Sequence, residues 1–551
     1  MKRKIFFGAT GALLLVVLAV TCTPLRALVF PRAKYSGPAL PPSPLEVPHE
    51  RTLGWKKDSA LAARVYASWA ARPLVGFAKG GKGDAARTLL GRFLTRTELP
   101  ATNAFILASK PWGVAGTSGW QNPKGDYDFA ESVLTTILWL FGENADTLTP
   151  PAREHLLNVL LTEDGGDFRT TAPNTLGLFE ETENHLLMTE GSRYLKNRWL
   201  RAHGNASPRF DNDANGMEQK LLDLIAAMRA AGFHEFNSQP YIGYTILGLL
   251  NLEAFASDRL RGAARDLLDA MNLNYALGSY RLHHFPPFRR RFEYANMTSL
   301  TTGYQTAYMT AWLSYAPSSL ELPGLGKGGE THALIGACLP YRPPDAVVRL
   351  LFDKGAGYFV KIGHGLEACP EIFSAGPGYV LSAGGVNRGE RSVIVARPIT
   401  LLLDDAADEL PNVIHLAGPG KAFREWNNTG VAENFACAAG PVHVPERFVA
   451  AGTSGAWRTF SIGHGMVAAI YSTPNLGLIA LARGVEPGEF LKSVVAANAD
   501  EAALAREFAF PAGRKVTYDL HSPRDRWVIT SEAGTSPDRD FDRWPLLAGR
   551  L

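Results

Sequence analysis

The residues best suited to chemistry stand at three distant places in the chain. Asn184 and His185 follow Glu183 in "ETENH" (181–185); Glu235, Asn237 and Tyr241 lie in "HEFNSQPY" (234–241); Arg289, Arg290, Arg291 and Tyr294 lie in "RRRFEYANMT" (289–298). An amide, an imidazole and a guanidinium can offset the charge of a ligand carboxylate and so acidify the proton beside it. A phenol can take that proton, and protonate a departing oxygen, when a nearby positive charge lowers its pKa. The stretch "GDYDF" (125–129) adds Asp126, Tyr127 and Asp128. With Glu183, these carboxylates could instead form the acid/base pair of a hydrolase.

Each of these stretches precedes a helical pattern. From about residue 58 to 316, nearly uncharged segments alternate with amphipathic ones. "ESVLTTILWLF" (131–141), "YIGYTILGLLNLEAFA" (241–256) and "NMTSLTTGYQTAYMTAWLSY" (296–315) are of the first kind. "PAREHLLNVLLTED" (151–164), "MEQKLLDLIAAMRAA" (217–231) and "DRLRGAARDLLDAMNLNYA" (258–276) carry one apolar stripe. Helices apolar all round are buried and striped ones lie at the surface. The alternation predicts an inner and an outer ring of antiparallel hairpins, an (α/α) toroid, incomplete or complete. An α-solenoid also stacks helix pairs, but no sequence repeat supports it.

In such a ring the inner helices run the same way and begin at one mouth. Ser238 is expected to cap the third of them, with Pro240 in its first turn. Converging N-termini favour an anion. Trp112, Trp120, Tyr127, Tyr241, Tyr244 and Tyr294 are expected to offer ring faces to sugars.

After about 340 the pattern changes to short runs such as "AVVRLLF", "GYFVKIG", "GYVLSAGG" and "RSVIVARPITLLL", separated by turn residues. They predict an antiparallel sheet domain, read as a β-sandwich. The expected division is a signal peptide or membrane anchor (1–23), a Pro-rich tether (24–50), the toroid (51–320), a linker (321–340) and the β-sheet domain (341–551).

Lys2, Arg3 and Lys4 precede an apolar run from Ile5 to Val20, the pattern of an export signal. Its length leaves an uncleaved anchor, and so membrane attachment, open. Thr21 before Cys22 departs from a lipoprotein cleavage box. The expected location is periplasmic, cell-surface or secreted. Net charge is only +3, and no zinc-finger spacing, Walker A loop or nucleic-acid motif occurs, so nucleic acid is not an expected partner. Cys338, Cys369 and Cys437 can form at most one bridge and are expected as buried thiols.

"ENHLLM…YL", followed by "EFNSQPY" and the glycine-rich "GYVLSAGG", resembles the toroid-plus-β-sheet polysaccharide lyases, including alginate, glucuronan and heparinase-type enzymes. The resemblance covers roughly 120–440. It implies β-elimination on a uronic-acid polymer, without a cofactor or metal. Asn184 and His185 would contact the uronate, and Tyr241 would be acid and base. A subset of these lyases uses an Arg and a Tyr from a later loop, here one of Arg289, Arg290 and Arg291 with Tyr294. Asp126, Tyr127, Glu183, Glu235, Asn237, Arg289, Arg291 and Trp120 are expected around the substrate. A β-domain histidine (His364, His415 or His464) would complete the cleft. Two other readings stay open: a toroid-fold glycoside hydrolase using Asp126, Asp128 and Glu183, and a non-catalytic surface glycan-binding protein.

Overall fold

The computed structural model describes residues 46–550 except 79–81, 113–125, 173–179, 240, 290–293, 295, 327, 364–369, 387–393, 406, 417–426 and 546. Helices fill the first part: α1 (Ala60–Ala70), α2 (Asp84–Thr95), α3 (Leu99–Ala108), α4 (Asp128–Phe141), α5 (Pro150–His155), α6 (Glu183–Ala202), α7 (Met217–Ala231), α8 (Ile242–Phe255), α9 (Asp258–Leu277), α10 (Tyr304–Leu313), α11 (Gly329–Cys338) and α12 (Asp345–Phe352). A later helix, α13 (Pro487–Ala497), lies among the strands.

The apolar helices are buried as their composition requires. Every residue of α8 from Ile242 to Glu253 is buried, and α8 packs against α4, α6, α9, α10 and α11. Gly248 permits the close approach of α6: a Cβ there would stand 2.7 Å from the Leu187 Cβ. The amphipathic α7 buries Met217, Leu221, Ile225 and Met228, one stripe at helical spacing. Contacts run from α2 to α4, α6, α8, α10 and α11, and from α11 back to α1 and α2.

Two helices stand where the sequence patterns predict otherwise. "AVVRLLF", expected as a strand, is α12. Asp345 opens it and accepts the backbone N–H of Thr52 at 2.7 Å, while Val347, Val348 and Leu351 turn inward. Packing at helical spacing overrides the β preference of the two valines. The expected linker 321–340 contains α11, whose "HALIGA" is buried against α10. The helix expected over 296–315 starts at Tyr304, after Gly303.

Antiparallel sheets fill the second part. One has seven strands in the spatial order Val442–His443, Ile414–Leu416, Ile399–Leu403, Tyr379–Gly384, Glu371–Gly376, Tyr358–Ile362 and Ala548–Arg550. A second has six: Val431–Ala432, Phe435–Ala438, Leu476–Arg483, Met466–Thr473, Trp457–Gly463 and Gly452–Ser454. Side chains alternate across the first sheet. Phe373, Val380 and Leu402 join the apolar core of the helices, whereas Ile372, Leu381 and Leu401 join a cluster with the second sheet. Burial on both faces explains why "EIFSAG" and "YVLSAG" are continuously buried. Cys338 and Cys437 are free thiols; Cys369 lies outside the described residues. Among the described residues no helix is long and apolar enough to cross a membrane. The N-terminal basic and apolar segment lies outside them.

Candidate active site at four helix N-termini

The starts of α2, α4, α6 and α8 meet, and side-chain bonds tie them together. Lys82, two residues before α2, places its Nζ 2.7 Å from Oδ2 of the buried Asp126, two residues before α4. Asp128, the first residue of α4, bonds His185 Nδ1 in the first turn of α6. Glu183, the first residue of α6, accepts the Glu235 backbone N–H at 2.7 Å from the segment leading into α8. The Lys82 ammonium lies 5.6 Å from the centroid of the Tyr241 ring at the start of α8, and 4.7 Å from that of Phe129.

Local sequence explains the turn that carries Lys82. Gly83 precedes α2 at φ +74, and a Cβ there would meet the Phe129 carbonyl oxygen at 2.6 Å. Only glycine fits both restrictions. Arg87 then returns its guanidinium to the Lys82 carbonyl at 2.5 Å.

The electrostatics are uneven. Burial works against charge on His185, but the Asp128 carboxylate outweighs it and raises the imidazole to about 9. At neutral pH the ring is an imidazolium, packed edge-on to Phe129 with centroids 5.5 Å apart. Burial similarly opposes charge on Lys82, yet the Tyr241 oxygen and Asp126 carry its pKa above the ordinary lysine value. Glu183 moves the other way: burial, then the Glu235 carboxylate, push it up to about 7 against the pull of Arg289.

Asn184 sits between these groups, fully buried. Its Oδ1 accepts the Thr182 hydroxyl at 2.6 Å. Its Nδ2 has no hydrogen-bond partner among the described residues. A buried donor without an acceptor costs about 1–3 kcal/mol, which an incoming oxygen would relieve.

Other expected site residues have structural duties. The Tyr127 hydroxyl donates to the Leu160 carbonyl at 2.9 Å, and its ring packs on Phe77 in the core, so it offers no face to a ligand. Tyr244 is likewise buried, edge-on to Phe129 and His332. Asn237 takes a left-handed φ of 48 and spends its Nδ2 on the Pro287 carbonyl at 3.1 Å and on Glu371 Oε1 at 2.7 Å, tying the helices to the first sheet. Glu235 and Arg289 are buried, and Arg289 acts on Glu183 as a compensating charge. Tyr294 packs partly buried against Phe288 and Val395. Ser238 does not cap: its carbonyl, not its hydroxyl, receives the Ile242 N–H at 2.9 Å, and Tyr241 is the cap residue. Trp112 is exposed.

His415 and His464 have other settings. His415 packs tilted against His443, and its Nδ1 donates to the Val413 carbonyl at 2.9 Å, with burial lowering it to about 4. His464 bonds Asp404 at 2.9 Å. Trp120, Pro240, Arg290, Arg291 and His364 lie outside the described residues. No group of three or more His, Cys, Asp or Glu side chains is placed to hold a metal among the described residues.

Lys82 is the residue that the motif reading missed. A signal for it exists: Lys82-Gly83-Asp84 repeats as Lys124-Gly125-Asp126, each triplet just before a helix of the cluster. Compared with models of known families, with curated proteins and with solved structures, the chain matches none.

Proposed function

We propose that the protein is a polysaccharide lyase cleaving a uronic-acid-containing glycan by β-elimination. The observation that carries this reading is the buried amide nitrogen of Asn184, which has no partner among the described residues, beside the His185 imidazolium. A uronate carboxylate supplies the missing acceptor, and the imidazolium offsets its charge. The C5 proton of the sugar becomes acidic. The Tyr241 oxygen removes it, and the C5–H electron pair forms the C4=C5 double bond. The C4–O bond breaks, and the departing glycosidic oxygen takes the proton back from Tyr241. Tyr241 is preferred to Tyr294 for this role because it adjoins Lys82. Tyr241 is as buried as Tyr127, so the reaction requires the substrate to displace the groups that cover its ring.

The circuit of contacts through α2, α4, α6, α8, α10 and α11 supports reading the helices as an (α/α) toroid. The apolar cluster shared by the two larger sheets supports reading them as a sandwich. Acting on a polymeric acidic glycan fits export, to which the N-terminal sequence points, with attachment to the membrane as its alternative.

A hydrolase is the second reading, favoured by the proton that Glu183 retains up to about pH 7. Against it, Asp126 is held by Lys82 and Asp128 by His185, so neither is free to activate a water. The test is a panel of polyuronates mixed with purified protein. Ultraviolet absorbance of a C4–C5 double bond is expected with at least one of them. Reducing ends without that absorbance would replace the lyase by a hydrolase, and binding with neither would leave a glycan-binding protein.

A further inference from the structure

We propose that Lys82 is a positioning residue of this site: its ammonium, anchored by Asp126, stabilises negative charge on the Tyr241 oxygen. The inference rests on the lyase reading for its role in turnover, but the coupling of the two side chains stands on geometry alone. A phenol that must accept a proton from carbon needs a cation close to its oxygen. Two arginines near this corner act on other groups. Arg289 acts on Glu183, and Arg87 lies over the Tyr244 ring at 5.6 Å from its centroid.

Lys82 stands against the Tyr241 ring, with its ammonium 5.6 Å from the ring centroid. Asp126, with a side chain only 2% exposed, fixes one side of the ammonium at 2.7 Å. The rings of Phe129 and Tyr241 flank the same ammonium. The lysine side chain itself is 29% exposed, so the charge is partly open to solvent. Gly83 and the Arg87–Lys82 carbonyl bond hold the backbone behind it. A salt bridge built only to join α2 and α4 would not require its cation beside the phenol that begins α8.

Several other charged or titratable groups face this corner. From α2 come Asp84 and Arg87, which act on Tyr244. Asp128 and His185 come from α4 and α6, with Glu181 and Asp126 acting on the same imidazole. Tyr244 acts on Lys82 from α8. His332 on α11 feels Arg87, and burial keeps it neutral. Among these, Lys82 is the cation in ring contact with Tyr241.

The experiment uses the full chain labelled with 13C at the tyrosine ζ carbon. Loss of one resonance in Tyr241→Phe assigns that residue. Its titration midpoint is then compared between wild type, Lys82→Met and Lys82→Arg, with circular dichroism confirming the fold. The midpoint is expected to rise by about one pH unit or more in Lys82→Met and to return most of the way in Lys82→Arg. Should Lys82→Met not fold, Lys82→Gln takes its place. An unchanged midpoint in the folded neutral variant overturns the proposal, whether or not the protein proves to be a lyase. On a polyuronate that yields unsaturated product, Lys82→Met should lower kcat at least ~10-fold with KM changed less than ~3-fold, and shift the pH profile to more alkaline values. A shifted midpoint in a protein that makes no unsaturated product would defeat the lyase reading alone. A KM effect without a kcat effect would defeat the positioning role.

Discussion

Two buried polar clusters in the helical part resemble each other in composition and differ in what they leave over. One surrounds Asp269 on α9. His49 Nδ1 meets its Oδ2 at 2.8 Å, the Tyr341 hydroxyl donates to its Oδ1 at 2.7 Å, and Arg51 pairs with it. Asn272 then donates to the Tyr341 oxygen at 3.0 Å, and Gln305 donates to Asn272 at 3.1 Å. The network uses its donors and acceptors internally. The cluster around His185 has the same ingredients, namely buried carboxylates, cations, an amide and a phenol. It retains, among the described residues, a donor without an acceptor at Asn184, and a carboxyl pushed up to about 7 at Glu183. Burial of charge is therefore common to both clusters; a donor without an acceptor among the described residues distinguishes the second from the first.

The largest expected effect tests the chemistry of the second cluster. Tyr241→Phe should lower formation of unsaturated product by ~10^3-fold or more, as loss of an acid/base group does, while Tyr294→Phe should cost less than ~10-fold. Initial rates on the same polyuronate check this, and a reversed order would move the reaction to the Tyr294 loop.

The next effect sets one cluster directly against the other. Asn184→Ala should lower kcat/KM by ~10- to 100-fold with a smaller change in Tm, because of its neighbours only the part-buried Thr182 hydroxyl loses a partner. Asn272→Ala should destabilise the fold by about 1–3 kcal/mol, since Tyr341 and Gln305 lose theirs. Urea unfolding of both variants measures the contrast; equal destabilisation would erase it.

The smallest effect concerns His185 and pH. Its folded pKa is raised to about 9 by Asp128. The stability it contributes is full below the ordinary histidine value of about 6.5 and is lost as pH rises through about 9. Wild type should exceed His185→Gln by on the order of 2 kcal/mol at pH 6 and by much less at pH 9.5. A difference that stays constant between those pH values would remove the imidazolium from the account.

Composition and period carried much of this structure. The α7 pattern at 217–231 folds over Met217–Ala231, and the apolar run at 241–256 folds as the buried α8. The helix starts carrying Asp128, Glu183 and Tyr241 were legible from polar clusters before apolar runs, and so were Asn184 and His185 as a pair. Short elements were not. "AVVRLLF" and "HALIGA" contain β-branched or small residues whose own preference is weak, and contacts with α1, α9 and α10 decide them. Tyr127 and Asn237 look like site residues in the chain, yet the Leu160 carbonyl and Glu371 claim their polar atoms.

By itself the sequence determined which long helices are buried and which chemical groups stand near the starts of α4, α6 and α8, because hydrophobic period acts within a few residues. The tertiary structure alone decided which of those groups are spent on one another. Lys82 with Asp126, Asp128 with His185 and Glu183 with Glu235 are partners across 44, 57 and 52 positions of chain, and pairing at that range is set by how the helices pack.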